Sequence, residues 1–220
     1  HFEEGSINPK RQEKSHVHAA VFSPDGRFLL APDLGADKVR IYPFDASANK
    51  PLQEDGAAPV LTPPGTGPRH LSFHPSGAYV YCVEELGGAV EVYAYDRGQM
   101  KLLQRILMHE GQDSRDKESS DLHLSPDGKF LYAANRGRDN NLVLFSVGND
   151  GTLVKEGYIP TQGDHPRTFA VDDALLAVAH PVSGEVSLFV RRPGDGKLKR
   201  VGKRLKIPGV STVHIRTYKP

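Results

Sequence analysis

The chain has 220 residues, with 28 Lys and Arg against 27 Asp and Glu, a formal net charge of +1, 10 His, one Cys and no Trp. That balance supplies no strong field to draw nucleic acid or an anionic membrane surface, and no apolar run approaches the ~18 residues of a bilayer-spanning helix. The lone Cys82, inside the apolar run YVYCV, has no second thiol to pair with and reads as a core residue of a cytoplasmic protein.

One pattern recurs along the chain. It reads HVHAAVFSPDGRFLLAPDLGADKVRIYPFD from His16, RHLSFHPSGAYVYCVEELGGAVEVYAYD from Arg69 and DLHLSPDGKFLYAANRGRDNNLVLFSVG from Asp121, with a worn copy, HPRTFAVDDALLAVAHPVSGEVSLFVR, from His165. The turn prolines Pro24, Pro75 and Pro126 lie 51 residues apart. Strand-rich repeats of roughly 40–50 residues are the sequence form of propeller blades.

In the first copy, alternation predicts a strand over 16–23, a tight turn at Pro24-Asp25-Gly26, a strand over 27–32, a second turn over 33–38, a strand over 39–44 and a more polar outer strand over 52–61. The second and third copies repeat these elements at 70–74, 79–83 and 90–95, and at 122–125, 130–134 and 142–146. The fourth keeps Asp172-Asp173 in place of Pro-Asp-Gly; its outer strand is expected over 198–206, and a strand of a further blade over 210–215. Helical periodicity is absent. The expected fold is all-β, a β-propeller of four-stranded antiparallel blades in one domain over 1–220, with about four blades and a strand present.

An antiparallel meander starts its first strand at the end where its second strand finishes. His16, His18, Arg69, His70, Asp121, His123, His165 and Arg167 open first strands, and Asp33, Glu84, Glu85, Asn135, Arg136 and His180 follow second strands. The bland account of any one of them is a solvated turn. Four copies placing His, Arg or carboxylate at equivalent tips, while the opposite turns carry Pro, Asp, Ser and Gly, argue for a site built on strand tips.

The runs INPKRQEKSHVHAAVFSPDGRFLLAPDLGADKV, GPRHLSFHPSGAYVYCVEELGGAVEVY, HLSPDGKFLYAANRG and QGDHPRTFAVD resemble the lactonase family of seven-bladed propellers, which contains bacterial 6-phosphogluconolactonases and fungal carboxymuconate-lactonizing enzymes. The resemblance implies a longer protein in which roughly two N-terminal blades precede this chain. It implies His18, Arg69, Glu85 and Arg136 as catalytic residues, with His16, His70, His123, His165 and Arg167 as neighbours that bind substrate. Glu84, Asp121 and His180-Pro181 depart from the family's usual residues.

Lactone hydrolysis needs a base to activate water, donors for the oxyanion and a cation for an anionic substrate; His and Arg supply these. The cycloisomerase reaction, adding a carboxylate across a double bond, uses the same groups, and a non-catalytic scaffold that binds proteins is the reading from another class. No cofactor or metal is expected: His16 and His18 share a strand face, but no Cys cluster or His-Glu-x-x-His motif accompanies them. The expected partner is a small anionic lactone or carboxylate, not nucleic acid or membrane; the basic stretch 197–206 reads as a solvated outer strand.

Overall fold

The computed structural model describes residues 5–53, 57–110 and 118–216, and these form four separate four-stranded antiparallel meanders, or blades. The first contains β1 (Val21–Phe22), β2 (Phe28–Asp33), β3 (Lys38–Pro43) and β4 (Ala57–Leu61). The second contains β5 (Pro68–Phe73), β6 (Tyr79–Glu84), β7 (Ala89–Asp96) and β8 (Gln99–Leu107). The third contains β9 (Ser119–Leu124), β10 (Phe130–Asn135), β11 (Asn141–Val147) and β12 (Leu153–Pro160). The fourth contains β13 (Thr168–Val171), β14 (Leu175–His180), β15 (Glu185–Arg191) and β16 (Leu198–Lys206). The strands group into two compact units, residues 1–107 and 108–220.

Each unit has its own apolar core. In the first, Leu30, Val39 and Ile41 of one blade pack with Leu71, Val80, Cys82 and Tyr93 of the next. In the second, Phe130, Tyr132, Leu142 and Leu144 pack with Phe169, Leu176, Val178 and Phe189. The second and third strands of each blade carry most of these residues. Both of their faces are covered, so they read as near-continuous apolar runs, whereas the outer strand β16, LKRVGKRLK, is rich in charge. No helix among the described residues is long and apolar enough to cross a membrane.

The repeated turns have one construction. The amide of Gly26, Gly77 or Gly128 donates to the carbonyl of Ser23, His74 or Ser125 at 2.8 Å in each case. Each glycine has φ between +67° and +75°, where a side chain would be strained. The fourth blade closes the corresponding turn differently. Asp172 Oδ1 accepts from the amides of Ala174 and Leu175 at 2.8 and 2.7 Å, and Arg191 Nε donates to the carbonyls of Asp172 and Asp173.

Three expected strands differ. Only Val21 and Phe22 of the 16–23 segment form a ladder, with an isolated bridge from Val17 to Asp33. The outer strand of the first blade is Ala57–Leu61, Leu52 making only a bridge to Phe44; residues 54–56 lie outside the described part. Residues 210–215 form no strand; Ser211 only accepts from Thr168 Oγ1 through its carbonyl, at 3.1 Å.

The shortened β1 reflects a bulge. Between the pairs Val17–Asp33 and Val21–Leu30, the first strand advances four residues and the second three. The same single-residue excess falls between Pro68–Glu84 and His70–Val83, and between Ser119–Asn135 and Leu122–Ala133. A bulge re-aims a side chain at the end of a ladder. In three blades it therefore sits where the first strand opens.

Candidate active site

The register puts the opening of each first strand beside the end of each second strand. At that end, the amides of Leu34, Glu85 and Arg136 donate to the carbonyls of His16, Gly67 and Glu118, at 3.0, 2.8 and 2.7 Å. Two of these three positions carry charged residues, and both head a charged cluster.

In the first unit the cluster is Arg69, His70, Glu85 and Arg11. Arg69 is the bulge residue of β5, and its Nε lies 2.7 Å from Glu85 Oε2 with both side chains 2% exposed. Its Nη1 lies 3.2 Å from His70 Nε2. Guanidinium can only donate, so His70 Nε2 is an acceptor and its ring proton sits on Nδ1. The other carboxylate oxygen of Glu85, Oε1, takes Nη2 of Arg11. The loop into β5 is held by Asp37, whose carboxylate accepts from the amides of Gly65 and Gly67 at 2.7 and 2.8 Å. Gly67 has φ +62°, and a Cβ there would press on Leu34 and Leu86 at 3.0–3.3 Å.

The second unit repeats the theme. Arg136 follows β10 and is 5% exposed at its side chain. Its Nε is 3.7 Å from Glu118 Oε2 and its Nη1 is 3.4 Å from His165 Nε2. His165 adopts φ +62°, fixed by its amide donating to Asn140 Oδ1 at 2.9 Å. Burial, then the Arg136 charge, push the His165 pKa below the ordinary imidazole value, so the ring is neutral at pH 7. In both units an arginine lies between a carboxylate and an imidazole nitrogen that accepts from it.

The remaining expected site residues are placed separately. His123 lies on Asp121 (Nε2 to Oδ2, 3.1 Å) with its ring edge-on to Phe169. Burial acts to lower its pKa, but the Asp121 carboxylate outweighs it and the value is raised. Asp121 also accepts from the amide of Phe169 at 3.1 Å. His16 is drawn to Glu13 at 3.0 Å, while His18 is exposed at the first bulge, its amide donating to the Pro32 carbonyl at 3.2 Å. Arg167, half-buried, makes the corresponding backbone bond to Ala179 at 3.1 Å. His18, Arg69, Ser120 and Arg167 thus stand at corresponding positions in successive blades.

The tips are not the solvated turns of the bland account. Asp33, Glu84, Asn135 and His180, which end the four second strands, are all fully buried. Asp33 accepts from Ser15, the His16 amide and Arg40, and Glu84 takes both arms of Arg105 at 2.7 and 2.5 Å. Burial would raise the Asp33 pKa, but these donors outweigh it and hold the carboxyl below the ordinary value. His180 has no hydrogen-bond partner at either ring nitrogen among the described residues, and burial pushes its pKa down to about 4.

Two groups lay outside the sequence reading. Arg11 reaches Glu85 across 74 positions of sequence, which no periodic signal reports. Ser119, His109 and Asp139 form a chain, with His109 Nδ1 2.7 Å from Asp139 Oδ2 and Ser119 Oγ 3.4 Å from His109 Nε2. The residue types are those of a nucleophilic triad, but Ser119 is fully buried and donates its one proton to Asn135 Oδ1 at 3.0 Å. This network ties down the start of β9 and offers no nucleophile. No group of three or more His, Cys, Asp or Glu among the described residues is arranged to hold a metal ion.

Four-stranded antiparallel meanders repeating with 51-residue spacing define a β-propeller chain. Residues 1–215 match the model of the lactonase family of seven-bladed β-propellers, and the chain belongs to that family. A 6-phosphogluconolactonase of Formosa agariphila is 38% identical over 94% of this chain and 60% of its own length. The 6-phosphogluconolactonase of Bacillus subtilis is 32% identical over 90% of this chain and 57% of its own. The structure of a periplasmic gluconolactonase from Pseudomonas aeruginosa superposes with a TM-score of 0.89 at 38% identity, covering 96% of this chain and 60% of that one. The chain therefore spans about 60% of the length of the relatives it matches.

Proposed function

We propose that the protein carrying this chain hydrolyses a sugar lactone of the 6-phosphogluconolactone type. The observation that carries the reading is the arginine held between a carboxylate and an imidazole, at Arg69 and again at Arg136. The names of the relatives support the substrate class. A cytoplasmic setting goes with the reading, on the single thiol and its burial.

In the resting cluster the lone pair of His70 Nε2 faces the Arg69 guanidinium. A lactone carbonyl oxygen that takes over that N–H leaves Nε2 free to accept a proton from water. The water oxygen adds to the carbonyl carbon, its proton passes to the imidazole, and the guanidinium stabilises the oxyanion. Collapse breaks the bond to the ring oxygen, which recovers the proton from the imidazolium. General-base assistance of this kind is worth roughly 10²–10⁴ in rate. Glu85 keeps the guanidinium in place by its charge, as Glu118 does for Arg136 beside His165. His18 and Arg167, at corresponding strand openings, are proposed to contribute to substrate binding, as are His16 and His123.

The test offers the natural protein 6-phosphogluconolactone, glucono-δ-lactone and carboxy-cis,cis-muconate. Ring opening of a lactone faster than its spontaneous rate supports the reading. Cyclisation of the muconate alone assigns the lactonizing reaction instead, and no turnover of any of them leaves the scaffold.

A further inference from the structure

Of the four buried residues that end second strands, three are tied by side-chain hydrogen bonds: Asp33 to Arg40, Glu84 to Arg105 and Asn135 to Asn141. The ring of His180 makes no hydrogen bond among the described residues and is held by packing. Its backbone is fixed in the ladder opposite Glu185, and its carbonyl accepts from the Gly184 amide at 2.8 Å. The ring lies beneath Gly163, where a Cβ would stand 2.3–2.6 Å from its Cγ, Cδ2 and Nδ1. Gly163 is outside the left-handed backbone region, so the ring and not the backbone calls for glycine there. Burial keeps the ring uncharged at pH 7; the Glu185 and Asp164 carboxylates oppose this and the Arg204 charge adds to it.

Gly163 belongs to the connection 161–167 between β12 and β13, which brings His165 to Arg136. The connection is pinned on either side of the glycine. The Asn140 carbonyl accepts from the Thr161 amide and hydroxyl at 3.1 and 2.6 Å. The Asn140 side chain accepts from the His165 amide at 2.9 Å and donates to Asp164 Oδ1 at 3.1 Å. From the fourth blade, Ser183 Oγ accepts from the Asp164 amide at 3.1 Å, and Arg204 Nη1 donates to the Gln162 carbonyl at 2.7 Å. Gln162 and His165 both adopt φ +62°, a conformation that non-glycine residues keep only where their surroundings impose it. A loop this constrained passes a displacement of Gly163 on to His165. His165 Nε2 is 3.4 Å from Arg136 Nη1, near the outer limit of a hydrogen bond, so a small displacement breaks the contact.

We propose that His180 is a positioning residue for the Arg136–His165 pair: its buried ring is the seat on which Gly163 rests, and that seat sets where the loop holds the His165 imidazole. The proposal rests on the lactone-hydrolase reading, in which the pair serves the reaction, and adds to it the residue that fixes the pair from below. His180 touches no reacting atom and acts through Gly163.

The first measurement needs no turnover. It is an NMR titration of the His165 ring in the natural protein, assigned with His165→Gln. In wild type the ring is expected to titrate below the ordinary imidazole value, as its burial and the Arg136 charge require. Gly163→Ala lifts the loop and His180→Ala removes its seat; each is expected to raise the value by at least ~0.5 pH unit, about threefold in proton affinity. His180→Leu, which fills the core without a flat ring, gives the same comparison where an alanine variant does not fold. In Gly163→Ala/His180→Ala the new methyl enters the space of the ring, and the rise is expected to be smaller than in either single variant. A role confined to stability lowers the unfolding temperature and leaves the His165 value unchanged in the folded variants, and that result overturns the proposal. A double variant shifted by the sum of the two single effects overturns it as well. For 6-phosphogluconolactone, kcat/KM is expected to fall at least tenfold in Gly163→Ala and to recover at least threefold in the double variant. A shifted His165 with unchanged kcat/KM overturns the part of the proposal that ties the pair to the reaction. If wild type opens no lactone, the hydrolase reading fails, and the titration still judges His180.

Discussion

Arg69 Nε lies 2.7 Å from Glu85 Oε2, with 2% of either side chain exposed. A pair this deep is held by the attraction of its two charges, since each has given up its water. Removing one partner strands the other, at a cost of about 3–5 kcal/mol. The strand tip that carries Arg69 is therefore a packed element of the second blade and not a solvent-facing turn.

Arg69→Lys tests that pair from both sides. A lysine keeps the charge but has neither the fork nor the reach to hold Glu85 and His70 together. The expected outcome is a loss of at least ~1.4 kcal/mol, or tenfold, in kcat/KM, together with about 1–3 kcal/mol of stability from imperfectly satisfied buried groups. Steady-state kinetics and urea unfolding measure the two. A variant with wild-type values in both removes Arg69 from the site.

Asp37 is predicted to act on the site through the loop it clamps. Its carboxylate holds the amides of Gly65 and Gly67, four and two residues ahead of Arg69. Asp37→Ala leaves both donors without that acceptor and is expected to cost about 1–3 kcal/mol, with kcat/KM falling because the bulge at Arg69 loses its fixed approach. Asp37→Asn, which keeps one acceptor oxygen, should fall between the two. Equal unfolding free energies for wild type and Asp37→Ala would count against the clamp.

Much of this fold is written in the sequence. Pro24, Pro75 and Pro126 mark equivalent turns, and the positive-φ glycines two residues after them are where the repeat places them. The strands at 198–206 and 79–84 follow from alternation bounded by turn residues. The segment 210–215 is rich in β-branched residues and forms no strand, because a strand is stabilised by a paired neighbour and not by its composition. Within the site, Arg69 and Glu85 are legible as strand-tip residues of one blade, and Arg136 and His165 as tips of successive blades. Their burial is not, because Arg and Glu read as surface residues unless their partners are known. Arg11 and Asp37 stay hidden for a related reason: each acts on a neighbouring blade from a loop without periodicity.

Glu91 gives the first unit a pH-dependent stability. It is 1% exposed, accepts from Tyr93 Oη at 2.6 Å and senses the Glu84 carboxylate. Burial, with Glu84 adding to it, pushes its pKa from 4.5 up to about 7. The folded state thus holds a proton that the unfolded state releases earlier. The contribution is fully present below pH 4.5 and is lost as pH rises through about 7. Thermal unfolding should show wild type losing stability from pH 5 to pH 8 relative to Glu91→Gln, which has no carboxyl to ionise. Parallel curves for the two proteins would reject the assignment.

The most direct test of the central claim is the initial rate of 6-phosphogluconolactone ring opening, measured for the natural protein and for its Glu85→Gln variant against the spontaneous reaction. Glu85→Gln preserves shape but discharges the group that holds Arg69. The account predicts a wild-type rate well above the spontaneous one and a kcat/KM at least tenfold lower in the variant. A wild-type rate equal to the spontaneous one, or a variant as fast as wild type, would contradict it.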